Sequence, residues 1–183
     1  MAAVTAFPAV RIETDRLVVR EYEPADAAAV TVVLAAREWE ALPHGAPRDP
    51  TGVWPWLRDG VHRFRHDGYG AHLAIAAAGG GYVGAMSLFN TDWVDGRVEV
   101  GYGIRAALRG RGYVTEALVA LTGWVLSRGG MRRVDLLTAP DNLASQRVAH
   151  KAGYTRDGTV ADPVSGRQLL RFTHSRGSAA GDR

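Results

Sequence analysis

The run from Arg97 to Ala139, RVEVGYGIRAALRGRGYVTEALVALTGWVLSRGGMRRVDLLTA, constrains the fold more than any other part of the chain. An alternating segment, RVEVGYGI, ends in a turn holding Gly110 and Gly112 and passes at once into an apolar helical pattern reaching Ser127. A second strand, RRVDLLTA, follows. Strand, helix, strand in that order is a parallel crossover, which nearly always winds right-handed. The chain therefore contains a mixed α/β sheet with at least one parallel crossover.

The remaining patterns fit around that crossover. ETDRLVVREY, Glu13 to Tyr22, alternates as a strand, and Pro24 opens the helical pattern PADAAAVTVVLAAREWE. ALPHGAPRDP reads as a turn-rich loop, and Thr51 as the cap of a second helix through Trp54, Trp56, Leu57, Val61 and Phe64. AHLAIAAA and YVGAMSLFN form a hairpin around Gly79, Gly80 and Gly81, and a turn at Asp95-Gly96 leads into RVEVGYGI. NLASQRVAHKA reads as a helix ending at Gly153, and short strands near Tyr154 to Val160 and Gln168 to His174 close the fold. One domain over residues 1–175 results, with a tail from 176 to 183, RGSAAGDR, that reads as disordered.

Composition removes several function classes. The 183 residues include no cysteine, so disulfides, thiolate metal sites and a cysteine nucleophile are excluded. The six histidines lack metal-ligand spacing, and no metal is expected. MAAVTAFPAV has no basic segment and is broken by Thr5 and Pro8, a poor signal peptide. The longest apolar run, around Ala117 to Leu126, is roughly half of the ~20 residues a membrane span requires, so a cytoplasmic protein with no membrane partner is expected. The net charge of +3 permits an acidic partner, either nucleic acid or a phosphorylated small molecule, without requiring one. Lys151 is the only lysine, and the abundance of arginine, alanine and glycine matches a GC-rich codon bias.

The glycine turn has its own chemistry. A strand, a short Gly110/Gly112 turn and an immediate helix direct several backbone N–H groups at one point, a phosphate nest in which a side chain would obstruct the anion. Arg105, Arg109 and Arg111 add positive charge around it. A Walker A loop is excluded because Tyr113 and Val114 stand where Lys and Ser or Thr are required. Gly101, Gly103 and Ala106 match a dinucleotide spacing, but they sit within the strand rather than after it. In that strand Val98, Val100, Tyr102 and Ile104 share one face, the core face, while Glu99, Gly101, Gly103 and Arg105 share the other. The second face is nearly bare beyond Glu99, which suits either a ligand lying along the strand or a closely packed helix.

VEVGYGIRAALRGRGYVTEAL followed by TAPDNLASQRVAHKAGY resembles the GNAT N-acetyltransferase superfamily, in particular its ribosomal-protein alanine N-acetyltransferase-like branch, and ETDRLVVREYEPADA resembles the start of that branch. The resemblance implies a mixed, mostly antiparallel sheet with helices on both faces, splayed between its fourth and fifth strands, RVEVGYGI and RRVDLLTA. It implies acetyl-CoA as donor co-substrate, its pyrophosphate on the amides of Arg109, Gly110, Arg111, Gly112, Tyr113, Val114 and Thr115, and its pantetheine beside the strand ending at Ile104. Ala107 stands where the family more often has Gln or Arg, which removes one side-chain contact. Asn142 caps the next helix and, by resemblance, touches the cofactor, with Ser145 near the thioester sulfur. Many members carry a Tyr general acid seven residues after that Asn, where this chain has Ala149, so Ser145 is the candidate acid.

Direct acetyl transfer needs a neutral amine, a polarised carbonyl and a proton for the leaving thiolate. Glu99 is the candidate base, through a water. Glu116, in the first turn of its helix, reads as structural. Trp39, His44, Trp54, Trp56 and His62, with Asn90 and Trp93 from the segment between them, are the candidate acceptor-site residues. The resemblance implies a primary amine as acceptor, on a protein N-terminus or a small molecule. Two rivals stand beside the enzyme: a non-catalytic acyl-CoA sensor of the same fold, and a basic nucleic-acid-binding domain. One RGRG run without interleaved aromatics is a poor nucleic-acid site, so no nucleic-acid partner is expected. Monomer and homodimer are equally compatible with the sequence.

Overall fold

The computed structural model describes residues 5–162 and 165–177. Eight strands form one sheet in the order β1-β2-β3-β4-β5-β6-β8-β7. They are β1 (Arg11–Glu13), β2 (Leu17–Glu21), β3 (Ala71–Ala77), β4 (Tyr82–Asp92), β5 (Arg97–Ile104), β6 (Arg133–Thr138), β7 (Thr155–Ala161) and β8 (Gln168–Ser175). Every neighbouring pair is antiparallel except β5 and β6.

Helices cover both faces. On one, α4 (Tyr113–Ser127) buries Ala117, Leu118, Leu121 and Val125 against Leu73, Ile75, Met86, Val98 and Val100, and α5 (Leu143–Lys151) adds Ala149. On the other, α1 (Ala27–Ala35) and a helical stretch made of α2 (Val53–Pro55), a π-helical turn (Trp56–Gly60) and α3 (Val61–His66) pack on Tyr22, Ala74 and Tyr82. The buried stripe Val53, Leu57 and Val61 recurs every four residues, the spacing that keeps one side of a helix inward.

The parallel pair carries the architecture. β5 and β6 are in register only over Arg97↔Arg133, Val98↔Val134 and Glu99↔Asp135, and from Val100 onward they diverge. β6 takes its full complement of partners from β8 instead, Arg133↔Ser175 to Thr138↔Leu170. The expected splay between RVEVGYGI and RRVDLLTA is thus present, between β5 and β6 once the two N-terminal strands are counted separately.

That separate count is one of several differences from the sequence reading. The strand expected over Glu13–Tyr22 is present as β2 but begins at Leu17, and it is the second arm of a tight hairpin with β1, because Thr14 turns the chain: its N–H donates to Leu17 O at 2.9 Å, and Leu17 N–H donates to its hydroxyl at 3.0 Å. The first helix stops at Ala35 rather than running to Glu40, since Arg37 adopts φ 56°, which breaks the helix. Asp49, and not Thr51, starts the second helical stretch, accepting the Thr51 N–H at 3.0 Å. Arg176 N–H is bonded to Arg132 O at 3.0 Å, so the first residue assigned to a disordered tail is anchored; 178–183 lie outside the described residues.

Candidate active site

The splay opens a cavity of about 590 Å³ between the end of β5, the glycine turn and α5. Ile104, Arg109 to Thr115, Asn142 and Ser145, every residue the sequence assigns to the cofactor, lie in its wall. Gly110 and Gly112 have φ 76° and 78°, the left-handed region that disfavours other residues. A Cβ at Gly110 would meet nothing within 4 Å, so backbone geometry rather than crowding requires glycine there. No side chain caps α4, and Glu116 N–H is bonded to Gly112 O at 3.1 Å, which leaves the N–H groups of the first turn pointing out of the helix end. An uncapped helix N-terminus opening into a cavity fits a phosphate group.

The flanking arginines are less free than their number suggests. Arg105 Nε is bonded to Glu38 Oε2 at 3.0 Å and Arg109 Nη2 to Glu40 Oε2 at 2.9 Å, both carboxylates belonging to the segment around the 3₁₀ turn Trp39–Ala41. Glu116 is structural, as expected: it accepts from Thr14 Oγ1, from the Arg16 N–H and from the Arg16 guanidinium, tying the β1–β2 hairpin to α4. Partial burial opposes its ionisation, but these hydrogen bonds hold its carboxyl below the usual range. Asn142 caps α5 by accepting the Ser145 N–H at 3.0 Å.

A second cavity, about 770 Å³, lies on the opposite side of β5 beneath α3 and the 42–45 segment. Ala85, Ser87, Phe89 and Gly101 form its floor, with Trp56 and Phe64 among its walls. His72 stacks on Phe64 with centroids 4.5 Å apart, and its Nδ1 is 2.9 Å from Ser87 Oγ. Burial, with His44 adding to it, lowers the His72 pKa to about 4, so the ring is neutral at physiological pH. The bare face of β5 therefore serves two ends. A Cβ on Gly103 would strike the Glu40 carbonyl, so this glycine admits the 3₁₀ turn, whereas Gly101 borders the open cavity.

That 3₁₀ turn is fastened from beneath. Tyr82 donates its hydroxyl to Ala41 O at 2.6 Å, and Tyr22 donates to the Tyr82 hydroxyl at 2.6 Å, all three groups buried. Burial holds both phenols well above their usual pKa, so the chain stays protonated.

Among the expected acceptor residues, His44 and Trp56 line the second cavity. The others do not. Trp39 lies under Arg48 and packs on the α1 cluster, and Trp54, 61% exposed, faces away from the sheet. His62 sits 3.6 Å from Glu21, and Trp93 packs on Phe7 while donating to Gly68 O. Asn90, with φ 49°, hydrogen-bonds Glu99. Glu99 itself borders neither cavity but faces Phe89 across the β4–β5 ladder; burial raises its carboxyl pKa, against the Asn90 bond.

Tyr102 was not singled out by the sequence, because alternation assigns it to the core face with Val98 and Val100. It borders both cavities, and its hydroxyl is 2.9 Å from Ser145 Oγ. Only the splay, a tertiary feature, turns that end of the core face into a wall.

The family model described as "Acetyltransferase (GNAT) domain" matches residues 16–155. Bacillus subtilis (strain 168) "Uncharacterized N-acetyltransferase YjdG" is 32% identical over 72 residues, 39% of this chain and 43% of that protein, so the match spans under half the length of this curated relative. Among solved structures, Mycobacterium smegmatis RimJ in complex with CoA-disulfide superposes with a TM-score of 0.76 at 19% identity, over 97% of this chain and 90% of that one. RimL, a ribosomal L7/L12 alpha-N-protein acetyltransferase in complex with coenzyme A, gives 0.75 at 16%, over 93% and 100%. At these identities the structural likeness bears on the fold. Among the described residues, no helix is long and apolar enough to cross a membrane.

Proposed function

The chain belongs to the GNAT acetyltransferases, and from that membership we propose that it moves the acetyl group of acetyl-CoA directly onto a primary amine, on a protein N-terminus or a small molecule, in the cytoplasm. The observation that carries the reading is the meeting of two cavities, which share Glu40, Tyr102 and Gly103. One ends at an uncapped helix N-terminus suited to a pyrophosphate, and the other has a mainly apolar lining with Glu40, Arg63 and Asp67 in its walls.

The glycine-turn amides from Arg109 to Thr115 hold the pyrophosphate, and Asn142 and Ser145 line the path toward the thioester. The acceptor enters past His44 and Trp56. Glu99 takes the amine proton through a water, and its raised pKa makes it a stronger base than an ordinary carboxylate. It contacts neither cavity directly, which is why a relay is required. RimL's alpha-N-protein acceptor makes an N-terminal peptide the first amine to try.

The test begins with the thermal midpoint of the purified protein in acetyl-CoA, CoA, NAD, ATP and a short RNA, because a ligand of the folded state raises it. A rise with acetyl-CoA and CoA alone, followed by thiol release on an amine panel, supports the enzyme. Binding with no turnover on any amine favours a sensor, and a rise with RNA alone refutes the reading.

A further inference from the structure

Resting on that reading, we propose that the Tyr102 hydroxyl is the proton donor to the leaving sulfur, with Ser145 Oγ relaying a proton back to it from the donor cavity. Transfer from a donor in one cavity to an acceptor in the other takes place where the two meet. Of the three residues in both walls, Gly103 brings only backbone. Glu40 has a side chain 82% exposed and turned to Arg109, with which it is ion-paired. Tyr102 alone brings an O–H to the junction.

Its surroundings suit the role. The half-buried phenol has one side-chain hydrogen-bond partner, Ser145, and burial keeps it protonated above its ordinary pKa. Beside the His44, Arg63, Asp67 and His72 side chains of the second cavity, the donor cavity brings five charged groups: Glu40 on the 3₁₀ turn, Arg109 and Arg111 on the glycine turn, and Arg147 and Lys151 on α5. Four of these five are cations, which favour developing negative charge at the sulfur. Ala149, where the family's helix-borne Tyr stands, is fully buried and holds no hydroxyl, so the strand supplies what the helix lacks.

The step balances as follows. The amine nitrogen forms the C–N bond and gives its proton to the base. The C–S bond breaks with its electron pair going to sulfur, and the Tyr102 O–H proton follows onto sulfur, giving free CoA thiol. The phenolate recovers a proton from solvent through Ser145.

The test uses CoA alone and needs no acceptor. The thiol of CoA bound to wild type and to Tyr102→Phe is titrated by the ultraviolet absorbance of its thiolate. A phenol donating to sulfur stabilises the thiolate, so the bound wild-type thiol titrates below that of free CoA measured alongside, and Tyr102→Phe moves it up by about one unit with CoA affinity unchanged within about threefold. Ser145→Ala moves it less. An unchanged titration in Tyr102→Phe, with CoA still bound, overturns the assignment, as does a larger shift in Ser145→Ala than in Tyr102→Phe. Absence of any CoA binding by the wild type is a separate outcome: it overturns the acetyltransferase reading, and this proposal with it.

Discussion

His72 couples the second cavity to pH, and its effect on stability can be worked through. Its folded-state pKa, lowered mainly by burial and further by His44, is about 4, against the ordinary 6.5 of the unfolded chain. Between those values the folded protein binds fewer protons than the unfolded one, so stability is fully present above pH 6.5 and falls as pH drops through the folded value. The whole shift of about 2.5 units corresponds to about 3 kcal/mol, of which about 2 kcal/mol is lost between pH 8 and pH 5. For a domain of this size that is a drop of about 4–8 °C in thermal midpoint. His72→Gln cannot titrate and keeps a polar partner for Ser87. Denaturant unfolding of both proteins at pH 8, 6 and 5 should show the wild type losing about 2 kcal/mol more than the variant over that range. Parallel pH profiles would mean that His72 is hydrated in solution and that the cavity floor is wetter than its packing against Phe64 implies.

The remaining predictions concern the site and its scaffold. Glu99→Gln should lower turnover by about a hundredfold or more while leaving acetyl-CoA affinity within about threefold, measured by single-turnover kinetics and calorimetry; an unchanged rate removes Glu99 from the mechanism. Gly112→Val should abolish the acetyl-CoA thermal shift, because a branched side chain is strained at φ 78° and intrudes on the glycine turn; retained affinity would refute the phosphate nest. Tyr82→Phe should cost about 1–3 kcal/mol in chemical denaturation, since it strands the Ala41 carbonyl and the Tyr22 hydroxyl in the core.

The crossover at Arg97–Ala139 was legible because it is local: the period-two strand, the glycines and the amphipathic helix are each written in adjacent residues. The wall of the first cavity follows from the same stretch and from Asn142, whose capping role needs only its neighbours. The second cavity was not legible, because its lining comes from α3, β3, β4, β5 and the 42–45 loop, which meet only in the fold. Trp54 shows why spacing misled. It stands one position after Val53 in the Val53-Leu57-Val61 stripe, and that single step turns it outward, a distinction an aromatic-rich segment conceals. The Thr14 turn escaped notice because the polar run Glu13-Thr14-Asp15-Arg16 holds no glycine or proline to mark it. Tyr102 was misread for the opposite reason: its alternation was correct, and the sheet parts beside it.

The three in-register pairs between β5 and β6 have a mechanical meaning as well. A ladder that short leaves two half-sheets, β1 to β5 and β6 to β8, joined by those three pairs, by the helix that crosses between them and by the core beneath it. Amide hydrogens of Leu136 and Phe172 report on one half, and those of Leu73 and Met86 on the other. A molecule seated in the gap splices the halves into a single cooperative block, so its occupancy is written into exchange rates on strands it never touches.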